Sequence, residues 1–208
     1  PTPGGDPAQP TANLEPTVTP MPVPSAFELD GMGLEYQSMN NCGPANLSMD
    51  LTYWGWPTTQ DVTKAGLRTH KDDRNVMLSE MRDFVIEKTN LSALVRFGGT
   101  LETVKRLVSN GYPILLERGH TDAEDGWMGH YSIVTAYDDA KRTVRIPDTL
   151  LGVMSLGYDE LMLDWAHFDG IGFSSCWSSS LRRFWSASFA VFCCSALGSF
   201  FRPFLAGA

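Results

Sequence analysis

The sequence predicts an α+β domain in which a layer of helices, formed by the N-terminal half, packs on an antiparallel β-sheet. Four helical segments precede residue 112, and the spacing of apolar residues then changes from helical to alternating. A polar turn joins two of the three strands that follow, as expected for antiparallel neighbours. The chain has 208 residues, 43% of them hydrophobic, which suits one domain with a sizeable core plus some extra sequence.

The helices are recognised by their ends and by their apolar spacing. The first begins near Pro44, because proline is tolerated in a first helical turn, and it ends at Gly55, a natural C-terminal stop. A short second helix is predicted over residues 58–67, with Thr58 or Thr59 as its N-cap. Apolar residues at helical spacing predict two more helices, over residues 77–89 and 100–111.

The strands follow the helices. Alternating and β-branched residues predict strands over 112–118, 129–139 and 142–148. The segment YDDAKRTV between the last two has the composition of a hairpin turn. A short helix within SLGYDELMLDWAHF, residues 155–168, closes the predicted domain.

Composition divides the chain into a linker, a domain and a tail. We predict a Pro/Thr-rich linker over 1–26, because eight of the 13 prolines lie in the first 24 residues and such a segment cannot bury apolar surface. It is either a stalk that holds the domain away from a membrane or wall, or an ordinary disordered leader. The globular domain is predicted over 27–170, and the remainder, 171–208, is an atypical Ser/Phe-rich tail.

The tail has several interpretations. From Phe173 onward its 36 residues contain nine Ser, seven Phe and no Asp or Glu. The 18 uncharged residues between Arg183 and Arg202 reach the lower limit for a membrane-spanning helix. A membrane segment, a buried terminal helix and a non-native tail all stay open.

Charge and termini limit the choice of partner and compartment. The net charge of −8 argues against nucleic acid or an anionic membrane surface as the main partner, because both require a basic face. The chain has no initiator Met and no signal peptide, which predicts a fragment or a processed form. The Pro/Thr-rich linker favours an extracytoplasmic location, secreted or at the cell surface, with a possible membrane tether through a preceding segment or the tail. We expect a monomer.

The stretch YQSMNNCGPANLSM, residues 36–49, holds the only cysteine among the first 170 residues. Cys42 is a packed structural thiol, half of a disulfide, a metal ligand or a nucleophile. The cysteines lack Cys-x-x-Cys spacing, so a zinc site has little support. At the start of a predicted helix, outward-pointing backbone N–H groups stabilise a thiolate, which is half of what a nucleophile requires.

A nucleophilic cysteine also needs a base and a group that orients the base. His130 is the best-placed histidine, since it projects from a predicted strand and Gly129 leaves room for a substrate. Asp148 ends the strand across the hairpin, which places it beside His130. Gln37 is positioned to donate to an oxyanion together with the backbone N–H of Cys42. Each also has an ordinary interpretation, as a structural histidine, a turn-capping carboxylate and a surface glutamine.

Three stretches in order, QSMNNCGPANLSMDLTYWG, GHYSIVTAYDD and RIPDTLLG, resemble the papain-like cysteine peptidases of the bacteriocin-processing, double-glycine leader family. They resemble more closely the stand-alone bacterial members without transporter domains, over residues 34–168. The resemblance implies the papain-like fold, with Cys42 as nucleophile and His130 as general base and acid. It further implies Asp148 as the orienting carboxylate and Gln37 as an oxyanion donor, with no metal or cofactor.

Two departures from the family pattern stand out. After Asp148 the sequence reads TLLG instead of the more usual Pro, which bears on the local turn. Members of the family have one more strand after the segment that corresponds to the one ending here at Phe168. In this chain, the residues expected to form that strand lie at the start of the atypical tail. If the strand is missing, the sheet loses a partner.

The implied function is that of a thiol protease, a hydrolase that cleaves an amide bond in a peptide or protein substrate through a thioester. An acyl transferase would pass the same thioester to an amine instead of water. The third possibility is a catalytically silent binding module at the cell surface. The presence of Cys42, His130, Asp148 and Gln37 together argues against this third possibility, because a binding module does not need all four.

Overall fold

The computed structural model describes residues 22–68, 75–122 and 126–177. Five helices and eight strands are formed by these residues. The helices are α1 (Cys42–Tyr53), α2 (Gln60–Leu67), α3 (Leu78–Lys88), α4 (Leu101–Ser109) and α5 (Tyr158–Ala166). The strands are β1 (Ala26–Glu28), β2 (Leu91–Arg96), β3 (Ile114–Asp122), β4 (Gly126–Val134), β5 (Ala136–Asp138), β6 (Thr143–Asp148), β7 (Gly152–Gly157) and β8 (Gly172–Trp177).

The strands form two four-stranded antiparallel sheets. The first has the order β1-β5-β6-β7 and the second the order β2-β8-β3-β4. The chain passes from one sheet to the other at Thr135, whose N–H donates to the carbonyl of Arg145 at 3.0 Å and whose carbonyl accepts from Leu29 at 2.9 Å. The sheets therefore meet at the point where β4 becomes β5.

The second sheet is covered on both faces, so its strands β3 and β4 serve two cores. One face packs on α1 and α3, with Leu115 and Ile133 buried among helical residues such as Met81. The opposite face packs on the first sheet, α4 and α5, around the fully buried Trp165. Side chains alternate between these faces along each strand. His130 thus points to the inter-sheet face and its neighbour Tyr131 to the helical face.

The predicted α+β class, with an N-terminal helical layer on an antiparallel sheet, is confirmed. Each of the four predicted N-terminal helices is present, and so is the short helix near residue 160. The predicted strand over 129–139 is two strands, divided at Thr135. Strand β6 consequently pairs with β5 and not with β4, so the expected side-by-side pairing along the whole hairpin was wrong in detail.

The described fold extends past the predicted domain boundary at residue 170. Strand β8 lies between β2 and β3, so the strand that the sequence left in doubt is present. The six residues of β8 belong to the sheet and not to the predicted tail over 171–208. The rest of that tail, including the 18 uncharged residues, and most of the predicted linker over 1–26 lie outside the described residues. Within the part that the structure describes, every helix is too short or too polar to cross a membrane.

Candidate active site

Cys42 is the first residue of α1, where the chain turns sharply into the helix. Asn40, two residues earlier, has a φ of 55°, the left-handed conformation that asparagine tolerates better than most residues. A Cβ added to Gly43 would lie 2.7 Å from the Cε of Met81 and 3.3 Å from the Cδ2 of Tyr131. The start of α1 therefore approaches the sheet as closely as it does because residue 43 is glycine.

A glutamine that sequence reasoning did not single out anchors the segment before Cys42. The Oε1 of Gln60 accepts from the backbone N–H of Ser38 at 2.7 Å and from the Nδ2 of Asn41 at 2.6 Å. Its Nε2 donates to the carbonyl of Tyr36 at 2.8 Å and to Glu35 Oε1 at 3.1 Å. One side chain at the start of α2 thus fixes residues 35–41, the segment that carries Gln37.

Asp148 holds His130 from the end of β6. The Nε2 of His130 lies 3.0 Å from Asp148 Oδ2, and both side chains are buried. The other carboxylate oxygen, Oδ1, accepts from the backbone N–H groups of Leu150 and Leu151 at 2.9 and 3.0 Å. Because Nε2 faces Asp148, the other ring nitrogen is left for Cys42, whose thiol is hydrogen-bonded to the His130 ring.

The ionisation of these three groups is coupled. Burial raises the pKa of the Cys42 thiol, but the hydrogen bond to His130 and the backbone N–H groups of Tyr131 and Gly43 outweigh it, so the pKa is lowered. Burial lowers the pKa of His130, yet Asp148 and Cys42 more than compensate and raise it to about 9. Burial also opposes ionisation of Asp148, whose pKa is nevertheless lowered by His130. These shifts favour a thiolate–imidazolium pair at neutral pH.

A buried arginine, also missed in the sequence, shares the carboxylate of Asp148. Only 1% of the Arg118 side chain is exposed, and its Nη2 lies 3.3 Å from Asp148 Oδ2. Its Nε donates to the hydroxyl of Ser132 at 2.9 Å, and Nη1 lies 3.1 Å from Asp164 Oδ2 on α5. A buried cation with two carboxylates and a hydroxyl is well compensated.

Gln37 is held beside the residue that follows Asp148. Its backbone N–H donates to the carbonyl of Thr149 at 2.8 Å, and the hydroxyl of Thr149 donates to Gln37 Oε1 at 2.7 Å. Since Oε1 accepts this bond, the orientation of the amide is set and Nε2 is the group left to donate elsewhere.

Asn46 connects the three segments that carry the predicted catalytic residues. This fully buried side chain lies one turn after Cys42, and its Nδ2 donates to the Cys42 carbonyl at 2.8 Å. The same nitrogen donates to the carbonyl of Tyr131, next to His130, at 2.9 Å. It also lies 3.4 Å from the hydroxyl of Thr149, next to Asp148. The four residues predicted from the sequence therefore belong to one connected site.

A cleft of about 720 Å³ begins at Cys42 and runs between α3 and the second sheet. It lies on the helical face of that sheet, with Tyr131 and Gly129 among its lining residues. The dimensions suit an extended peptide segment or a long side chain next to the thiol.

Comparison with known proteins relates this fold to peptidases. The family described as "Peptidase_C39 like family" matches residues 23–167. No curated protein sequence matches the chain significantly.

Solved structures that share the fold include three peptidases. A protein described as a C39-like peptidase from Bacillus anthracis superposes with a TM-score of 0.61 at 14% identity, over 74% of this chain and 98% of its own. A double glycine motif protease from an AMS/PCAT transporter, in complex with its leader peptide, gives 0.54 at 13% identity over 71% and 91%. Xylellain, a cysteine protease from Xylella fastidiosa, gives 0.53 at 10% identity over 74% and 86%.

Proposed function

Because the chain belongs to the Peptidase_C39 like family and is a cysteine peptidase, we propose that it hydrolyses peptide amide bonds through Cys42, His130 and Asp148. The observation that carries the proposal is the buried His130, hydrogen-bonded on one side to Asp148 and on the other to Cys42. A nucleophile, its base and an orienting carboxylate in this arrangement are what thiol hydrolysis requires. The leader peptide bound to a protein of the same fold supports a peptide as substrate.

The reaction begins when the Cys42 thiolate attacks the carbonyl carbon of the scissile amide. The resulting oxyanion accepts hydrogen bonds from the Cys42 backbone N–H and from Gln37 Nε2. The His130 imidazolium then gives its proton to the nitrogen of the leaving amine, which departs and leaves a thioester. His130, now neutral, takes a proton from water as the water attacks the thioester, and collapse releases the acid and restores the thiolate.

The first test concerns the nucleophile. We expect Cys42→Ala to abolish peptide cleavage and to remove labelling by an iodoacetamide probe at neutral pH, because the reactive thiolate is gone. Mass spectrometry of the wild-type adduct should locate the label on Cys42. Cys42→Ser keeps the side-chain size and serves as the matched control for folding. Labelling confined to cysteines other than Cys42, with cleavage unaffected by Cys42→Ala, would overturn the proposal.

The second test concerns the oxyanion donor. Gln37→Glu replaces the donating amide by an oxygen of the same shape, and it should lower kcat by roughly 10²- to 10³-fold with little change in KM. The measurement is steady-state cleavage of a fluorogenic peptide. Ser38→Ala is the control, because the Ser38 side chain is exposed and only its backbone N–H contacts Gln60. An equal loss in both variants would argue against a specific role of the Gln37 amide.

The location and the oligomeric state of the protein are proposed from the sequence alone. The Pro/Thr-rich composition of residues 1–26 supports an extracytoplasmic protein, and a membrane tether and a monomeric state are proposed with it.

A further inference from the structure

The cleft beside Cys42 is mainly apolar but holds a carboxylate. Its walls include Met77 and Leu78 at the start of α3, and Val95, Phe97 and Ile171 at the edge of the second sheet. Glu117 of β3 lies directly opposite Tyr131 of β4, on the face of the sheet that lines the cleft. Glu117 is half-buried, so its charge is partly removed from water.

The charge of Glu117 is poorly compensated within the described part of the chain. No described Lys or Arg lies within ion-pair distance of it. The hydroxyl of Tyr131 is within hydrogen-bonding reach of Glu117. The single proton of this hydroxyl is shared with a second acceptor, the carbonyl of Val76, 2.6 Å away. Burial accordingly raises the pKa of Glu117.

Two arginines also line the cleft, and both are engaged elsewhere. Arg82 forms an ion pair with its neighbour Asp83 at 2.7 Å. Arg68 donates to the backbone carbonyl of Asn40. Neither guanidinium reaches Glu117, so the cleft keeps a carboxylate for which the protein supplies no cation among its described residues.

We propose that the cleft selects substrates with a lysine or arginine close to the scissile bond and that Glu117 receives the cationic end of that side chain. The proposal rests on the function proposed above, because Cys42 defines where the scissile bond lies. Lys and Arg carry apolar methylene stems that suit the walls of the cleft, and a charged end that matches a carboxylate within it. A partly desolvated ion pair favours the matching substrate and penalises a neutral or acidic one.

The experiment compares cleavage sites in a mixture of peptides of known sequence. Wild type, Glu117→Gln and Glu117→Lys are incubated with the mixture, and the positions within three residues on either side of each cut are read by mass spectrometry. Glu87→Gln is the matched control, because Glu87 is exposed on α3 and is not part of the cleft lining. The rate of Cys42 alkylation by iodoacetamide and the thermal midpoint of each variant report whether the site is intact.

We expect wild type and Glu87→Gln to cut with about tenfold enrichment of Lys or Arg at one position, the ratio that one such ion pair provides. Glu117→Gln should lose the enrichment with its alkylation rate unchanged, and Glu117→Lys should shift it toward Asp or Glu. Three outcomes would overturn the inference alone, provided that cleavage still depends on Cys42. They are the absence of Lys or Arg enrichment in wild type, an enrichment of Asp or Glu in wild type, and an unchanged Lys or Arg enrichment in Glu117→Gln. Absence of any Cys42-dependent cleavage would overturn the proposed function and the inference with it.

Discussion

At the scale of single residues, the carboxylate of Asp148 is shared among several donors. Oδ1 accepts from two backbone N–H groups, whereas Oδ2 contacts His130 at 3.0 Å, Ser132 at 3.2 Å and Arg118 at 3.3 Å. The negative charge near His130 is therefore divided between an imidazolium and a guanidinium. Asp164 forms an ion pair with the other end of the Arg118 guanidinium. Asp164 therefore affects the pKa of His130 through Arg118, without contacting the imidazole.

This sharing predicts the effect of Asp164→Asn on the pH dependence of kcat/KM. Activity should rise as pH passes the lowered pKa of Cys42, and fall as His130 loses its proton near pH 9. In Asp164→Asn, the positive charge of Arg118 is no longer offset by a carboxylate on α5. The field of Arg118 at the His130–Asp148 pair then becomes more positive, which lowers the pKa of His130. The alkaline limb should move to lower pH by roughly 0.5 units, the effect of one partly exposed charge pair.

Asp159→Asn is the control for this shift. Asp159 lies on the same helix and pairs with Arg142 in an exposed position, away from the buried arginine. Among the described residues, the charged groups next to the His130–Asp148 pair include Cys42 from α1 and Arg118 from β3. An alkaline limb that stays in place in Asp164→Asn, or that moves equally in Asp159→Asn, contradicts the coupling.

Sequence reasoning found residues whose chemistry is distinctive and missed those that act through partners distant in the chain. Cys42 and His130 could be singled out because thiol and imidazole chemistry demand each other. Asn46 contacts Tyr131, 85 residues later, and Thr149, 103 residues later, and no local pattern announces such contacts. Arg118 lies at the end of a predicted apolar strand, and an arginine is rarely fully buried unless it is paired. Its partners Asp148 and Asp164 are 30 and 46 residues later in the chain, so no local pattern indicates the pairing.

At the scale of secondary structure elements, α1 buries polar side chains as well as apolar ones. Asp50, in the last turn of this helix, is 1% exposed and accepts from the hydroxyl of Ser175 on β8 at 2.5 Å. Burial raises the pKa of Asp50 to about 7, although the bond to Ser175 opposes the shift. The element that carries Cys42 is thus joined to β8 by a carboxyl group that keeps its proton up to about pH 7.

We predict that Asp50→Asn reduces the pH dependence of stability. Above pH 4 the unfolded chain releases the Asp50 proton, whereas the folded chain keeps it until about pH 7, so folding loses stability as pH rises through this window. The loss is on the order of 4 kcal/mol. Asparagine can accept from Ser175 without ionising, so the free energy of unfolding of the variant should exceed that of wild type by a margin that grows from pH 4 to 7.

Urea denaturation at each pH measures this margin. Asp61→Asn, at an exposed position of α2, is the matched control and should give a constant difference from wild type. A margin for Asp50→Asn that is flat from pH 4 to 8, or that shrinks as pH rises, would show that Asp50 is not held in its protonated form.

The helices were predictable as elements, while several strands were not. Helices α1 to α4 can be predicted from the spacing of their apolar residues and from the glycines that follow some of them. Gly55 and Gly111 are examples, and both have a positive φ. Strand β8 buries Ser174 and Ser175, whose hydroxyls bond to the Pro113 carbonyl and to Asp50. A buried strand with serines on both faces gives no alternating apolar signal, so its residues were assigned to the atypical Ser/Phe-rich tail.

At the scale of the whole molecule, β8 ties the C-terminal end of the described fold to strands β2 and β3 from the middle of the chain. It pairs with β2 along its full length and with β3 through Phe173 and Gly172. Phe173 is 1% exposed within the core that α1 and α3 share with the second sheet. Removing the strand would separate β2 from β3 and open this core, so the last strand is needed to keep α1, which begins with Cys42, packed on the sheet that carries His130.

Truncation tests this dependence. We predict that a chain ending at Trp177 retains cooperative thermal unfolding, Cys42 alkylation and peptide cleavage within about twofold of the full chain, because β8 completes the sheet. A chain ending at Gly170 should show no cooperative transition and no cleavage, since the contacts of Phe173 and of Ser175 with Asp50 are lost together. All three chains are measured with a reductant present, by circular dichroism and fluorogenic peptide assay. A cooperative, active chain ending at Gly170 would contradict the central place of β8, and failure of the chain ending at Trp177 would show that residues 178–208 are required as well.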